Sequence, residues 1–150
     1  MPSFAHTVEV NAPQSQVFAI LDDVSRTPEW LSRCTGIDKL DQGPNQVGTR
    51  LRYHYKDAGR TGEMAGEITA HDADEHLAMV YRDKMMDVTV DFVAKPGGGP
   101  GTTTLTHTIN IRTKGMGNLF APIVKMTLPK QTTTAMDKLK ALAEAEAPPA

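Results

Sequence analysis

The chain has 150 residues, 39% hydrophobic and 23% charged, with a formal net charge of -2 at pH 7, which fits one domain with a real core. Lysine and arginine are spread along the chain, so there is no electrostatic footprint for a nucleic acid or an anionic membrane, and no apolar run is long enough to cross a bilayer. Cys34 is the only cysteine, which excludes an internal disulfide, and residues 1–6 lack the basic start and apolar run of a secretion signal, so the expected location is cytoplasmic.

Residues 4–10 alternate, with Phe4, His6, Val8 and Val10 on one face and Ala5, Thr7 and Glu9 on the other, which predicts a half-buried strand. His6 is its odd member. Asn11-Ala12-Pro13 stops the strand, and Pro13 suits a first helical position because its missing N–H would be unpaired there. Val17, Ile20, Leu21 and Val24 then follow at helical spacing, predicting a helix that ends near Asp22 or Asp23. Thr27-Pro28-Glu29-Trp30 predicts a second, very short helix with Thr27 as cap and Pro28 at its first position.

Further strands are expected at 37–41, 49–56, 63–71, 76–83, 87–95 and 102–113, separated by Gly, Pro, Asn and Asp clusters. The connections at 57–62 and 95–101 are short enough for hairpins, so the sheet should be antiparallel. Taking the apolar members of each strand as its inward face selects Leu51, Tyr53 and Tyr55; Met64 and Ile68; Leu77, Met79 and Tyr81; Val88, Val90 and Phe92; and Leu105, His107, Ile109 and Ile111. By the same parity Asp91 faces away.

Residues 115–145 read as a long terminal helix. Met116, Leu119, Phe120, Ile123 and Thr127, then Leu128, Gln131, Ala135, Leu139 and Leu142, hold three-and-four spacing, so one face must be covered. Pro122 marks where regular helix begins, and Pro129 predicts a kink or break near 127–129. Met64, Met79, Met116, Met126 and Met136 are all expected indoors, and the tail at 146–150 should fray. No linker or repeat interrupts the chain, so residues 1–150 are expected to be a single domain.

A strand, then Asn11-Ala12-Pro13-Gln14 leading into Val17-Phe18-Ala19-Ile20-Leu21-Asp22-Asp23, then Pro28-Glu29-Trp30-Leu31, six strands and a long helix, resembles the START-like superfamily, also called SRPBCC or Bet v 1-like. Within it the chain is most similar to the polyketide cyclase/dehydrase and lipid-transport family. The resemblance implies an α+β helix-grip fold, in which a curved seven-stranded antiparallel sheet wraps around the C-terminal helix, with a hydrophobic cavity between them. It also implies that the first and last strands are neighbours. His6 and His107 would then point into the grip with Tyr53, Tyr55 and Tyr81 along its wall, and Trp30, Met79, Phe92, Phe120 and Met126 complete the set of candidate ligand-binding residues. Histidine moves protons near neutrality and tyrosine hydroxyls orient carbonyls or phenols.

Three readings follow. The first is a binder or carrier of a hydrophobic small molecule such as a lipid, quinone or polyketide-like aromatic; the second is a cyclase or dehydratase using a cavity histidine or tyrosine; the third is a protein-interaction module. Binding is favoured on the family resemblance, the Met-rich inward faces and the shortage of paired catalytic groups, since no carboxylate completes a catalytic dyad, and no catalytic residue is assigned. His71-Asp72-Ala73-Asp74-Glu75-His76 has metal-ligating residue types, but it falls where two strands must turn, and Asp is ordinary turn chemistry. The glycine run at 97–101 lacks the Lys-Ser or Lys-Thr sequel of a phosphate loop. Neither a metal nor any other cofactor is expected.

Overall fold

The structure, a computed structural model, describes residues 3–57 and 60–146, excepting the side chains of residues 57, 60, 120, 124 and 125. The expected hairpin tip at Ala58-Gly59 and the tail beyond residue 146, apart from Glu146 itself, lie outside the described residues.

In chain order the elements are β1 (Ser3–Val10), α1 (Gln14–Asp22), a first 3₁₀ turn (Val24–Glu29), β2 (Cys34–Lys39), β3 (Arg50–Asp57), β4 (Arg60–Asp72), β5 (His76–Arg82), β6 (Met86–Pro96), β7 (Thr103–Thr113), a second 3₁₀ turn (Gly115–Phe120) and α2 (Ala121–Glu146). The seven strands form one antiparallel sheet in the order β1-β7-β6-β5-β4-β3-β2. The first and last strands are therefore neighbours, in a register that sets His6 directly opposite His107. Val10, Leu51, Ile68, Leu77 and Leu105 on the inner face are at most 1% exposed, and so are Ile20 of α1 and Leu139 of α2, which places the core inside the grip.

Local chemistry explains where elements start and stop. Pro13 flanks α1 as its cap, and its carbonyl accepts the amides of Gln16 and Val17. The next turn is not capped by Thr27 as expected. Asp23 takes that role by accepting the Ser25 amide at 3.2 Å, so the turn begins four residues earlier and Pro28 falls inside it. β2 also starts before its expected position, at Cys34, because a register shift between Cys34 and Gly36 lets the chain pair with β3 on both sides of the irregularity.

The terminal helix divides into unlike halves. From Leu128 on it is buried through Leu128, Ala135, Met136, Leu139 and Ala143, it packs on β1, and it is fastened at its C-terminal end. There Glu144 accepts the Asn11 amide at 2.8 Å, and Arg26 bridges Glu29 and Glu146. The other half corrects the expectation of a covered face, since Met116, Leu119, Ile123 and Met126 are exposed. Met116 and Met126 are thus outdoors, while Met64, Met79 and Met136 are buried as expected. Regular helix does begin beside Pro122 after a 3₁₀ turn, but α2 is not broken at Pro129. A proline removes one hydrogen bond of the ladder, and neighbouring turns keep theirs. No helix among the described residues is long and apolar enough to cross a membrane.

Candidate functional site

Between sheet and α2 lies a cavity of about 160 Å³. Its wall is built by the period-two alternation of β3 to β7, which delivers Tyr53, Tyr55, Met79, Tyr81, Phe92 and His107 to the same side. Trp30, at the end of the first 3₁₀ turn, and Ala135 of α2 close it from the other side. Leu31, Arg33, Gln131 and Ala135 also line an outer groove of about 510 Å³ that reaches Met126 and Lys130.

The tyrosines fit because two strand positions opposite them carry no side chain. A Cβ at Gly66 would come within 2.5 Å of the Tyr81 ring, and one at Gly62 within 2.5 Å of the Tyr55 hydroxyl. Tyr81 lies over Gly66, 5.0 Å between ring centroids from Tyr53, and donates its hydroxyl hydrogen to Met79 Sδ at 3.1 Å. Burial raises its pKa well beyond the usual phenol range. Gly66→Val should therefore push the Tyr81 ring off its seat at a cost of about 2–3 kcal/mol. A matched fall in unfolding midpoint and in affinity for an apolar probe checks it.

A second cluster carries the site's polarity. Phe92 stacks face to face on His107, with centroids 4.4 Å apart and planes 9° apart, and Trp30 meets Phe92 edge-on at 5.8 Å. His107 is 6% exposed, yet both of its ring nitrogens are buried without a hydrogen-bond partner among the described residues, as is Trp30 Nε1. Buried polar groups nearly always have partners, so three orphans around one cavity are unusual. Burial lowers the His107 pKa to about 4; Asp91 partly opposes the shift and His6 adds to it. The ring is neutral near pH 7, with one nitrogen to donate and one to accept.

Seven of the ten candidates thus meet at the cavity: Trp30, Tyr53, Tyr55, Met79, Tyr81, Phe92 and His107. The other three do not. His6 faces His107 across the β1–β7 pair but does not line the cavity, and it stacks on Phe4 instead. Met126 is 76% exposed and belongs to the outer groove, and the side chain of Phe120 lies outside the described residues. Thr27, Arg33, Gln131 and Thr132 also line the cavity, though none is among the candidates. Gln131 had a signal, as the one amide among the apolar positions of its helical stripe; Arg33 had none.

The residue run at the β4–β5 turn separates. The register shift between Ile68 and Ala70 turns His71 inward, where its ring meets Phe18 edge-on and its Nε2 lies 3.0 Å from Asp22 Oδ1. His76 points out and pairs with Asp91 at 2.6 Å, so Asp91 faces away from the cavity as parity required. Among the described residues no three His, Cys, Asp or Glu side chains converge as a metal would need. Cys34 is buried, and desolvation pushes its thiol up to about 11, which leaves it a packing residue at neutral pH.

The same architecture recurs in solved structures. A START superfamily protein from Mycobacterium smegmatis is 19% identical with a TM-score of 0.78, over 95% of this chain and 97% of that one. The Zhui aromatase/cyclase from Streptomyces sp. R1128 is 17% identical with a TM-score of 0.79, over 97% and 98%. A protein from Thermus thermophilus is 14% identical, again at 0.79, over 98% and 100%. At such identities the likeness shows the fold, a START-like helix grip. A search of curated protein sequences finds no match. The family model described as polyketide cyclase / dehydrase and lipid transport matches residues 1–144, and on that match the chain belongs to this family.

Proposed function

We propose that the protein binds or carries a hydrophobic small molecule that bears a hydrogen-bonding group, such as a phenol or quinone, with that group against His107. The observation that carries this reading is the neutral, deeply buried imidazole whose two nitrogens have no partner among the described residues and which lines an otherwise apolar cavity. A ligand oxygen would supply what the fold withholds. Size supports the same division. An apolar cavity of about 150 Å³ holds a benzene-sized molecule, so a ring fits inside, and the adjoining outer groove is where a longer remainder would lie.

The test is displacement of an apolar naphthylamine fluorophore. Naphthol should displace it about tenfold better than naphthalene from the wild type, and His107→Leu should abolish the preference while keeping the probe bound. Failure of the wild type to bind the probe, or an unchanged preference in the variant, removes the proposal.

A cyclase or dehydratase reading is favoured by one further observation, that a neutral imidazole beside the cavity is in the form a general base requires. No carboxylate lines the cavity among the described residues, so His107 would act without a partnering acid. Turnover assayed on the same variant separates the two readings.

A further inference from the structure

We infer that the Tyr81 hydroxyl is a second polar anchor in the cavity, placed to hold a neutral carbonyl at the end of the ligand opposite the group that meets His107. The inference rests on the binding reading above and adds the ligand's second functional group. The class it names is an aryl ketone with a hydroxyl at its far end.

Strand register sets the two anchors apart. Phe92 of β6 pairs with His107 of β7, and Val88 of β6 pairs with Tyr81 of β5. Val90 lies between them and pairs with both Met79 and Ile109. The inner face is therefore stacked in layers, each two residues or about 7 Å further along the strands. His107 stands in the first layer and Tyr81 in the third, with Met79, Val90 and Ile109 as an apolar layer between, and all five line the cavity. Because the Tyr81 hydroxyl leans on Met79, the two polar groups are one to two layers apart, about 7–13 Å along the strands. A single ring with polar atoms at opposite ends, and a hydrogen bond beyond each, spans that gap.

Tyr81 is a donor with a replaceable partner. Its hydroxyl hydrogen goes to Met79 Sδ at 3.1 Å, and a thioether is a weak acceptor. A ligand carbonyl is a stronger one, and the sulfur it displaces packs in an apolar wall without needing a hydrogen bond. The phenol ring is held by its seat over Gly66 and by Tyr53 at 5.0 Å, so the donor is in place before a ligand arrives. A charged group does not suit this end. Tyr81 is 5% exposed, and the burial that keeps its phenol protonated penalises a ligand carboxylate in the same way.

Displacement of the naphthylamine fluorophore by substituted benzenes tests this. On the wild type, acetophenone should compete about fivefold better than ethylbenzene, and 4-hydroxyacetophenone about fivefold better than 4-ethylphenol. Tyr81→Phe keeps the ring and should abolish both gains, leaving the advantage of 4-ethylphenol over ethylbenzene that belongs to His107. Met79→Leu is close in volume and removes the sulfur, so it should enlarge the carbonyl gain. Equal competition by ketone and alkyl compounds overturns the inference even where the hydroxyl preference holds. So does a carbonyl gain that survives in Tyr81→Phe or shrinks in Met79→Leu, or tighter binding of 4-hydroxybenzoate, which would move recognition to Arg33 on the same lining. A carbonyl gain lost in Tyr81→Phe, with no hydroxyl preference in the wild type, supports the anchor and removes only the role of His107. A wild type that binds no probe overturns both.

Discussion

Leu139→Ala should lower the unfolding free energy by about 3–4 kcal/mol, while Ile123→Ala on the same helix should change it by less than about 0.5 kcal/mol. The side chain of Leu139 is fully buried in the core beside Ala135, Met136 and Ala143, so truncation leaves a hole that surrounding strands cannot collapse to fill. Ile123 is 55% exposed, and little of its surface returns to water on unfolding. Urea denaturation of both variants measures the contrast. Equal losses would mean that α2 is seated along its whole length.

The second large effect is acid sensitivity at one side chain. The folded-state pKa of His107 is depressed to about 4 from an ordinary value near 6.5, so between these values the unfolded chain binds a proton that the folded chain refuses. Its contribution is complete above about pH 6.5 and falls by up to about 3 kcal/mol as pH drops toward 4. His107→Leu should flatten that segment of the stability profile. It should also leave stability at pH 7 unchanged or raise it by about 1 kcal/mol, since it removes two unpartnered polar atoms from the interior. Stability curves at several pH values read both effects, and a variant that keeps the acid loss would locate it elsewhere. A position where the protein gains stability by losing its natural side chain is one retained for what it does.

Much of this site was legible in the chain because strands repay parity. With Leu51 and Leu77 inward, Tyr53, Tyr55, Met79 and Tyr81 have to follow, and the cavity wall comes with them. Position 71 escaped this logic, since an irregular residue in β4 advances the register by one and turns His71 toward Phe18 and Asp22. Nothing in the residue types announces such a bulge. Helical spacing has a different weakness. It groups Met116, Leu119 and Ile123 as one face but does not say what covers it, and in the fold no described element does. The neutrality of His107 was equally hidden, since it arises from the depth of burial beside the stacked Phe92 ring, which only the folded geometry supplies.

The strand order carries a consequence for how the chain assembles. Every neighbouring pair in the sheet is consecutive in sequence except β1 with β7. Thr7 meets Thr106 at a separation of 99 residues, whereas His76 meets Asp91 at 15. Chain-closure entropy grows only logarithmically, so the long closure costs about 1.5–2 kcal/mol more than the short one. That cost is nonetheless concentrated in a single contact, while β2 to β7 form a meander of local hairpins that low contact order makes quick to build. Because the buried half of α2 rests on β1, the terminal helix gains its full seat only when the first strand has returned. The two ends of the chain thus complete the fold together, and the cavity, whose sheet wall the meander has already built, is closed by α2 at the same step.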